Sequence, residues 1–183
     1  KKYNEAMSQL ADTNMYIEDN AGITSSDIRA KCRRLASKPE GLGLVIIDYL
    51  QLLTLGGKRP DSRQQEVSDI SRSIKTMAME LKVPVIALAQ LSRNAEKREN
   101  NEPMLADLRE SGSIEQDADI VMFIYRDEYY RKAEDGEEDA AAKAQSKGES
   151  EIIIAKHRNG SVGTVKLLFQ GNITKFKNPI KTD

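Results

Sequence analysis

The sequence has no tryptophan, only one cysteine and no uninterrupted hydrophobic segment of membrane-spanning length. A single cysteine, Cys32, excludes an internal disulfide, and its place between Ile28 and Leu35 in a predicted helix indicates a small core residue. A membrane-spanning helix needs about 20 consecutive apolar residues, so none is predicted here. The start of the chain lacks the pattern of a signal peptide. These absences predict a protein of the reducing cytoplasm with no membrane contact.

The charge is nearly balanced, with 28 basic and 29 acidic side chains and a net charge of −1. A chain of this kind does not hold nucleic acid by its overall charge, so any such contact would depend on a few placed cations. Charged residues make up 31% and hydrophobic residues 39% of the 183 positions, which is typical of one soluble globular domain. Because the first residue is Lys1, the sequence is expected to begin inside a longer protein.

Apolar spacing predicts helices and strands that alternate along the first half of the chain. Helices are predicted for residues 1–12, for the segment around Cys32 after a capping cluster at Thr24, and for residues 64–82. The apolar stripe of that last helix consists of Val67, Ile70, Ile74, Met77, Ala78 and Leu81. Strands are predicted at residues 15–19, 44–47 and 85–89. The continuous apolarity of the last two favours strands covered on both faces, as in a parallel sheet.

The second half is predicted to hold further strands at residues 120–125, 151–155, 162–169 and 173–176. Asn159-Gly160 is a typical tight-turn pair between two of them. Residues 127–150 are acidic, then alanine-rich, and predict an excursion with a helical piece at 138–144; within it, residues 131–149 are interpreted as a mobile insert. The whole pattern predicts an α/β domain with a mostly parallel sheet flanked by helices and a C-terminal antiparallel hairpin.

Polar residues stand where the predicted parallel strands end, which is where ligands bind in such sheets. Asp48 follows four apolar residues, the Walker B pattern, and a carboxylate there suits Mg²⁺ beside nucleotide phosphates. Gln90 follows the next strand and Arg126 a later one. The matching phosphate-binding loop is absent, since the only Gly-Lys pair, Gly57-Lys58, is followed by arginine. Either the protein is not of this class, or the loop lies upstream of Lys1.

Five segments together resemble the motor domain of the bacterial DnaB-type replicative helicases, in order and spacing as well as content. They are LVIIDYLQLL, RQQEVSDISRSIK, VPVIALAQLSR, DLRESGSIEQDADIV and IIIAKHRNGSVGTVKLLF, within residues 16–176. The resemblance implies a partial RecA-like P-loop NTPase domain over residues 1–183, truncated at its N-terminus. The Walker A lysine and threonine and the water-activating glutamate would lie upstream, so the chain by itself is expected to be inactive and less stable than a complete domain.

The resemblance also implies roles for particular residues. Asp48 would organise Mg²⁺, and Gln90 would sense the γ-phosphate of ATP and couple it to the DNA loops. Lys156 and Arg158 would be basic fingers that reach the nucleotide of a neighbouring subunit, and alternation puts both on one side of their strand. His157, between them, is interpreted as structural or exposed.

The loop from Asp107 to Ser113 resembles one that lines a channel for single-stranded DNA. Arg109 would pair with a phosphate, Gly112 would let backbone amides approach the strand, and Glu110 would buttress its neighbours. Arg63, with Lys58 and Arg59, is a second candidate for the channel, or else belongs to a solvated charged loop.

The implied partners are ATP, Mg²⁺, single-stranded DNA, five further copies in a homo-hexamer, a primase and a helicase loader. Three alternatives stay open. A recombinase or clock-type RecA relative should lack the paired segments AKHRNG and RESGSIEQDAD, and a phage primase-helicase should diverge in them. A non-enzymatic module that binds DNA or a partner would account for the absent phosphate-binding loop, but it would not need Asp48, Gln90, Lys156 and Arg158 together.

Overall fold

A computed structural model describes residues 2–20, 22–57, 62–92, 95, 98, 101–126 and 148–179. The chain divides into two compact units, Lys1–Ala89 and Gln90–Asp183. The helices are α1 Lys2–Ala11, α2 Ser25–Ala36, α3 Arg63–Leu81 and α4 Gly112–Asp117, with 3₁₀ helices at Leu50–Leu52 and Leu105–Ser111. The strands are β1 Val45–Ile47, β2 Val85–Ala87, β3 Ile120–Tyr125, β4 Glu149–His157, β5 Gly163–Gln170 and β6 Lys175–Lys177. Among the described residues, no helix combines the length and apolar character that a membrane crossing requires.

The helices of the first unit begin and pack as their sequences predict. Thr24 caps α2: its hydroxyl accepts a hydrogen bond from the Asp27 N–H, and the Asp27 carboxylate accepts one from the Thr24 N–H. Burial raises the pKa of the Cys32 thiol, which agrees with the predicted core role. The buried residues of α3 include four members of the predicted stripe, Val67, Ile70, Ile74 and Met77.

Strands β1 and β2 form a two-stranded parallel sheet, with α3 as the crossover between them. The prediction that both strands are covered on both faces is wrong for the described residues. Ile47 is buried, but Ile46 is 62% exposed and Ile86 is 48% exposed. Neighbouring side chains of a strand point to opposite faces, and the described part of this unit covers only one of them.

The strand predicted at residues 15–19 is also absent. These residues have no regular secondary structure, and Met15, Tyr16 and Ile17 are exposed. A strand needs backbone hydrogen bonds to a neighbouring strand, and the described sheet of this unit contains only β1 and β2, paired with each other.

The second unit contains an antiparallel sheet in the order β3-β4-β5-β6. The turn predicted at Asn159-Gly160 lies between β4 and β5. Val121 and Phe123 of β3 are buried, whereas Met122 and Ile124 on its other face are exposed. The ring centroids of Phe169 and Phe176 lie 4.9 Å apart, and this contact packs β5 against β6.

In the described residues β1 and β2 pair parallel and the strands from β3 to β6 pair antiparallel, so the antiparallel part extends beyond the predicted C-terminal hairpin. Antiparallel neighbours can be joined by short turns, whereas a parallel pair needs a long crossover such as α3. The helical piece predicted at residues 138–144 and most of the insert at 131–149 lie outside the described residues.

Gly148, just before β4, generates a stability prediction. Its φ is +87°, and a Cβ there would lie 2.7 Å from the Phe169 carbonyl oxygen. We predict that Gly148→Ala lowers the free energy of unfolding of the full-length protein by about 1–3 kcal/mol, measured by urea unfolding. Gly163→Ala is the matched control in the same sheet, since its Cβ would meet nothing within 4 Å. An equal loss of stability in Gly148→Ala and Gly163→Ala would contradict the prediction that the contact with the Phe169 carbonyl and the positive φ make Gly148 the sensitive position.

Candidate functional site

Asp48 lies where β1 ends, between two backbone hydrogen bonds to Leu88. The Leu88 N–H donates to the Ile47 carbonyl and the Leu50 N–H donates to the Leu88 carbonyl, each at 2.9 Å. Leu50 is 2% exposed and fixes the 3₁₀ helix that follows, while Asp48 itself is exposed. The carboxylate therefore stands in an accessible position at the C-terminal edge of the parallel sheet.

A lone carboxylate at this edge fits Mg²⁺ only together with substrate oxygens. In the described part of the chain, no cluster of three or more His, Cys, Asp or Glu side chains could hold a metal ion. Mg²⁺ at nucleotide sites is commonly held by one or two carboxylates, the phosphates and water. Asp48 would be the carboxylate that the protein supplies to such a site.

Arg63, one of the candidate DNA contacts, is engaged within the first unit. Its guanidinium pairs with Glu66 and donates to the carbonyl oxygens of Gln51 at 2.5 Å and Leu53 at 3.3 Å. These contacts join the start of α3 to the 3₁₀ helix that follows Asp48. Its proposed partners in the loop, Lys58 and Arg59, lie outside the described residues.

The remaining candidates belong to the second unit. Gln90 is exposed at its start. The backbone of Arg109 and Glu110 lies in the 3₁₀ helix Leu105–Ser111, which continues into α4. Gly112 is exposed with a φ of −52°, and a Cβ there would meet nothing within 4 Å. The chain's own packing therefore does not require a glycine at this position.

Lys156 and Arg158 converge on the end of α4. The Lys156 Nζ donates to the Glu115 carbonyl and lies 3.5 Å from the Gln116 carbonyl. The Arg158 guanidinium donates to the same Gln116 carbonyl at 2.6 Å. Both side chains thus lie on one side of the strand end, and they supply donors to carbonyl groups at the end of a helix, where cations are favoured.

The backbone around Arg158 extends the pairing of β3 with β4. The Arg158 N–H donates to the Asp119 carbonyl at 2.9 Å, and its Nε lies 3.5 Å from the Asp119 carboxylate. The Nδ1 of His157 accepts a hydrogen bond from the Asn159 N–H at 3.3 Å. His157 therefore contacts the turn after its strand.

A buried ion pair joins Arg98 to Asp107, two residues before Arg109. The two guanidinium nitrogens reach both carboxylate oxygens, and the Nη1–Oδ1 distance is 2.9 Å. The Met104 N–H also donates to this carboxylate, at 2.8 Å, and Arg98 donates to the Glu102 carbonyl at 2.7 Å. Asp107 is 3% exposed. The hydrogen bond from Arg98 holds the pKa of the Asp107 carboxyl below its ordinary value and raises the pKa of Arg98.

Sequence reasoning missed Arg98. It stands in a polar stretch of mixed charge between Arg93 and Glu102, where nothing distinguishes it from its neighbours. The one signal was Asp107 in the loop, a carboxylate between the apolar residues Ala106 and Leu108. A buried carboxylate requires a cationic or N–H partner, but spacing does not say which one.

The family model of the DnaB-like helicase C-terminal domain matches residues 1–178. This chain belongs to that family. The replicative DNA helicase DnaC of Bacillus subtilis (strain 168) is 54% identical over 177 residues, which cover 97% of this chain and 37% of that protein. The replicative DNA helicase DnaB of Pasteurella multocida (strain Pm70) is 48% identical over 165 residues, 90% of this chain and 33% of that protein. The chain therefore spans about a third of the length of these relatives.

Two solved structures resemble the chain over 97% of its length. One is the structure of an ATPase domain, which matches with a TM-score of 0.84 and 46% identity, and 59% of that chain is covered. The other is a DnaB-like replicative helicase, solved to describe its interactions with primase. It matches with a TM-score of 0.83 and 46% identity, and 41% of it is covered. These likenesses confirm the predicted α/β class and the RecA-like fold of this DnaB-like domain.

The Asp107 ion pair generates a prediction on pH. Folding lowers the pKa of the Asp107 carboxyl below its ordinary value of 3.8. The ion pair therefore stabilises the fold fully at pH values above 3.8, and this stabilisation is lost as the pH falls through the pKa of the folded state. We predict that Asp107→Asn costs about 2 kcal/mol at pH 7. This is below the roughly 3–5 kcal/mol of a fully buried pair, because 27% of the Arg98 side chain stays exposed.

The measurement is urea unfolding of the wild type and of Asp107→Asn in the full-length protein, from pH 7 down to pH values below 3.8. The difference between the two should shrink as the pH falls below 3.8. A difference that stays constant across this range would show that the ion pair does not stabilise the fold through its charge.

Proposed function

We propose that this chain is the C-terminal part of a hexameric, ATP-driven replicative helicase, which moves along single-stranded DNA and unwinds the duplex at the replication fork. The observation that carries the proposal is the shared position of two candidate sites. Lys156 and Arg158 are held at the end of α4, and the candidate DNA segment from Arg109 to Gly112 leads directly into that helix. Membership of the DnaB-like family supports the same function.

In the proposed site, each side chain has a separate task. Asp48 holds Mg²⁺, which neutralises phosphate charge when it is bound. The Gln90 amide donates to a phosphate oxygen without adding charge, so it responds to the presence of the γ-phosphate. Lys156 and Arg158 serve the nucleotide of the neighbouring subunit, and the planar fork of Arg158 suits two phosphate oxygens.

A ring is required because the basic pair acts on a nucleotide bound by another copy of the chain. Six copies would line a channel with the Arg109–Gly112 segments, so that weak contacts of each segment with the DNA backbone add up. Arg63 would contribute to the same channel only if its contacts with the Gln51 and Leu53 carbonyls open. A primase and a loader are the proposed partners, in the cytoplasm, and one of the similar structures concerns interactions with primase.

The rival function is a binding module without enzymatic activity, which the absent phosphate-binding loop would favour. Such a module has no need for a carboxylate at the edge of the parallel sheet and two cations at the end of α4. We therefore prefer the motor. Measured ATP turnover separates the two functions.

The test is ATP hydrolysis by the full-length protein, with and without single-stranded DNA, beside Arg158→Ala. We predict that turnover falls about 10³-fold or more while nucleotide binding is kept, because the arginine acts on charge that develops during the reaction. The ATP turnover of Arg158→Lys should lie between those of the wild type and Arg158→Ala, since lysine keeps the charge but lacks the planar guanidinium fork. The exposed Arg34→Ala is the control for the loss of one charge. A wild type that binds DNA but hydrolyses no ATP would establish the rival.

A second experiment addresses the DNA segment through Gly112→Ala. An added Cβ meets nothing in the chain, so folding should be kept. If backbone amides here approach a phosphate, the methyl group will weaken single-stranded DNA binding about tenfold, the value of one hydrogen bond to a charged group. Fluorescence anisotropy measures the affinity and a thermal melt checks the fold. Unchanged affinity in a folded variant would remove Gly112 from the DNA contact.

A further inference from the structure

The ion pair between Arg98 and Asp107 stands at one end of a backbone hydrogen bond between two stretches of chain that the proposed function treats as separate sites. On one side, the Ser92 N–H donates to the Asp107 carbonyl at 3.0 Å, and Ser92 is two residues from Gln90. On the other side, Asp107 is two residues from Arg109. Asp107 therefore contacts the phosphate-sensing stretch through its backbone and Arg98 through its side chain, next to the start of the DNA segment.

The geometry of the ion pair holds Asp107, one end of this connection, at several points. Arg98 reaches both Asp107 carboxylate oxygens and also the Glu102 carbonyl, so the guanidinium is held at more than one point. The Met104 N–H holds the same carboxylate, which prevents it from rotating freely. A planar guanidinium fork bound to both oxygens sets the direction as well as the distance between the two groups.

Stability alone is a weak reason for this arrangement. Removing two charges from water is costly, and apolar side chains of similar volume often stabilise a fold as well as a buried ion pair does. The advantage of the ion pair is its defined geometry. That property matters where a movement of one segment must be passed to the next without loss.

We propose that Arg98 and Asp107 are positioning residues that make the stretch around Gln90 and the Arg109–Gly112 segment move as one body. This inference rests on the proposed function and adds to it the connection by which the nucleotide state changes the grip on DNA. Neither residue touches nucleotide or DNA in this scheme. Their effect is on how strongly the two binding events depend on each other.

The test measures single-stranded DNA affinity of the full-length protein in the presence of a non-hydrolysable ATP analogue and in the presence of ADP. The ratio of the two affinities is the coupling, for which values of about 5- to 150-fold are typical. We expect Asp107→Asn to bring the ratio close to one, because the amide can still accept from the Met104 N–H but no longer binds a guanidinium as a charged pair.

Conservative variants separate positioning from a general loss of structure. Arg98→Gln should bring the ratio close to one, and Arg98→Lys should restore part of it, because lysine keeps the charge but not the fork. Glu80→Gln is the matched control: it removes a carboxylate that pairs with Arg29 and Arg33 on the exposed surface of the first unit, and it should leave the ratio unchanged.

The outcomes are distinct. A purely structural role would weaken DNA binding equally in both nucleotide states and leave the ratio at the wild-type value, which would overturn the proposal. If Asp107→Asn does not fold, the comparison of Arg98→Lys with Arg98→Gln decides in the same way. A wild-type protein whose DNA affinity does not depend on nucleotide would instead refute the proposed function itself.

Discussion

Helix α4 is only six residues long, so most of its carbonyl groups need hydrogen-bond donors from outside the helix. Lys156 and Arg158 supply two such donors from the end of β4. The pairing of β4 with β3 determines where they stand, because the Arg158 N–H continues that pairing to Asp119. The end of the sheet and the end of the helix therefore support each other, and the candidate DNA segment enters this helix at Gly112.

The segment that leads into α4 is held at its start by the buried carboxylate of Asp107. Asp107 binds Arg98 through its side chain and Ser92 through its carbonyl, just before the 3₁₀ helix continues into α4. The stretch from Asp107 to Gln116 is thus fixed at its start by an ion pair and at its end by two cations. These contacts fix both ends of the stretch within the second unit, which is the arrangement that the proposed coupling requires.

Several features of the fold could be predicted because they depend on neighbours in sequence. Thr24 caps α2 through a residue three positions away, and the buried stripe of α3 follows from helical spacing. Asp48 at the end of β1 follows from the apolar run before it. The wrong predictions concern distant partners. Whether residues 15–19 form a strand, and whether Ile46 is covered, depends on which chain segments lie beside them.

The sequence by itself determined the family, the main helices and strands and the identity of the strand-end residues, because those follow from local patterns and from long matching segments. Only the tertiary structure decided that β3 and β6 join the predicted antiparallel hairpin in one sheet, that Lys156 and Arg158 bind the end of α4, and that Arg98 is the partner of Asp107. Hydrogen bonds and ion pairs between distant residues depend on where folding brings the chain together. Nothing in the spacing of Arg98 among its charged neighbours identifies the carboxylate that it binds.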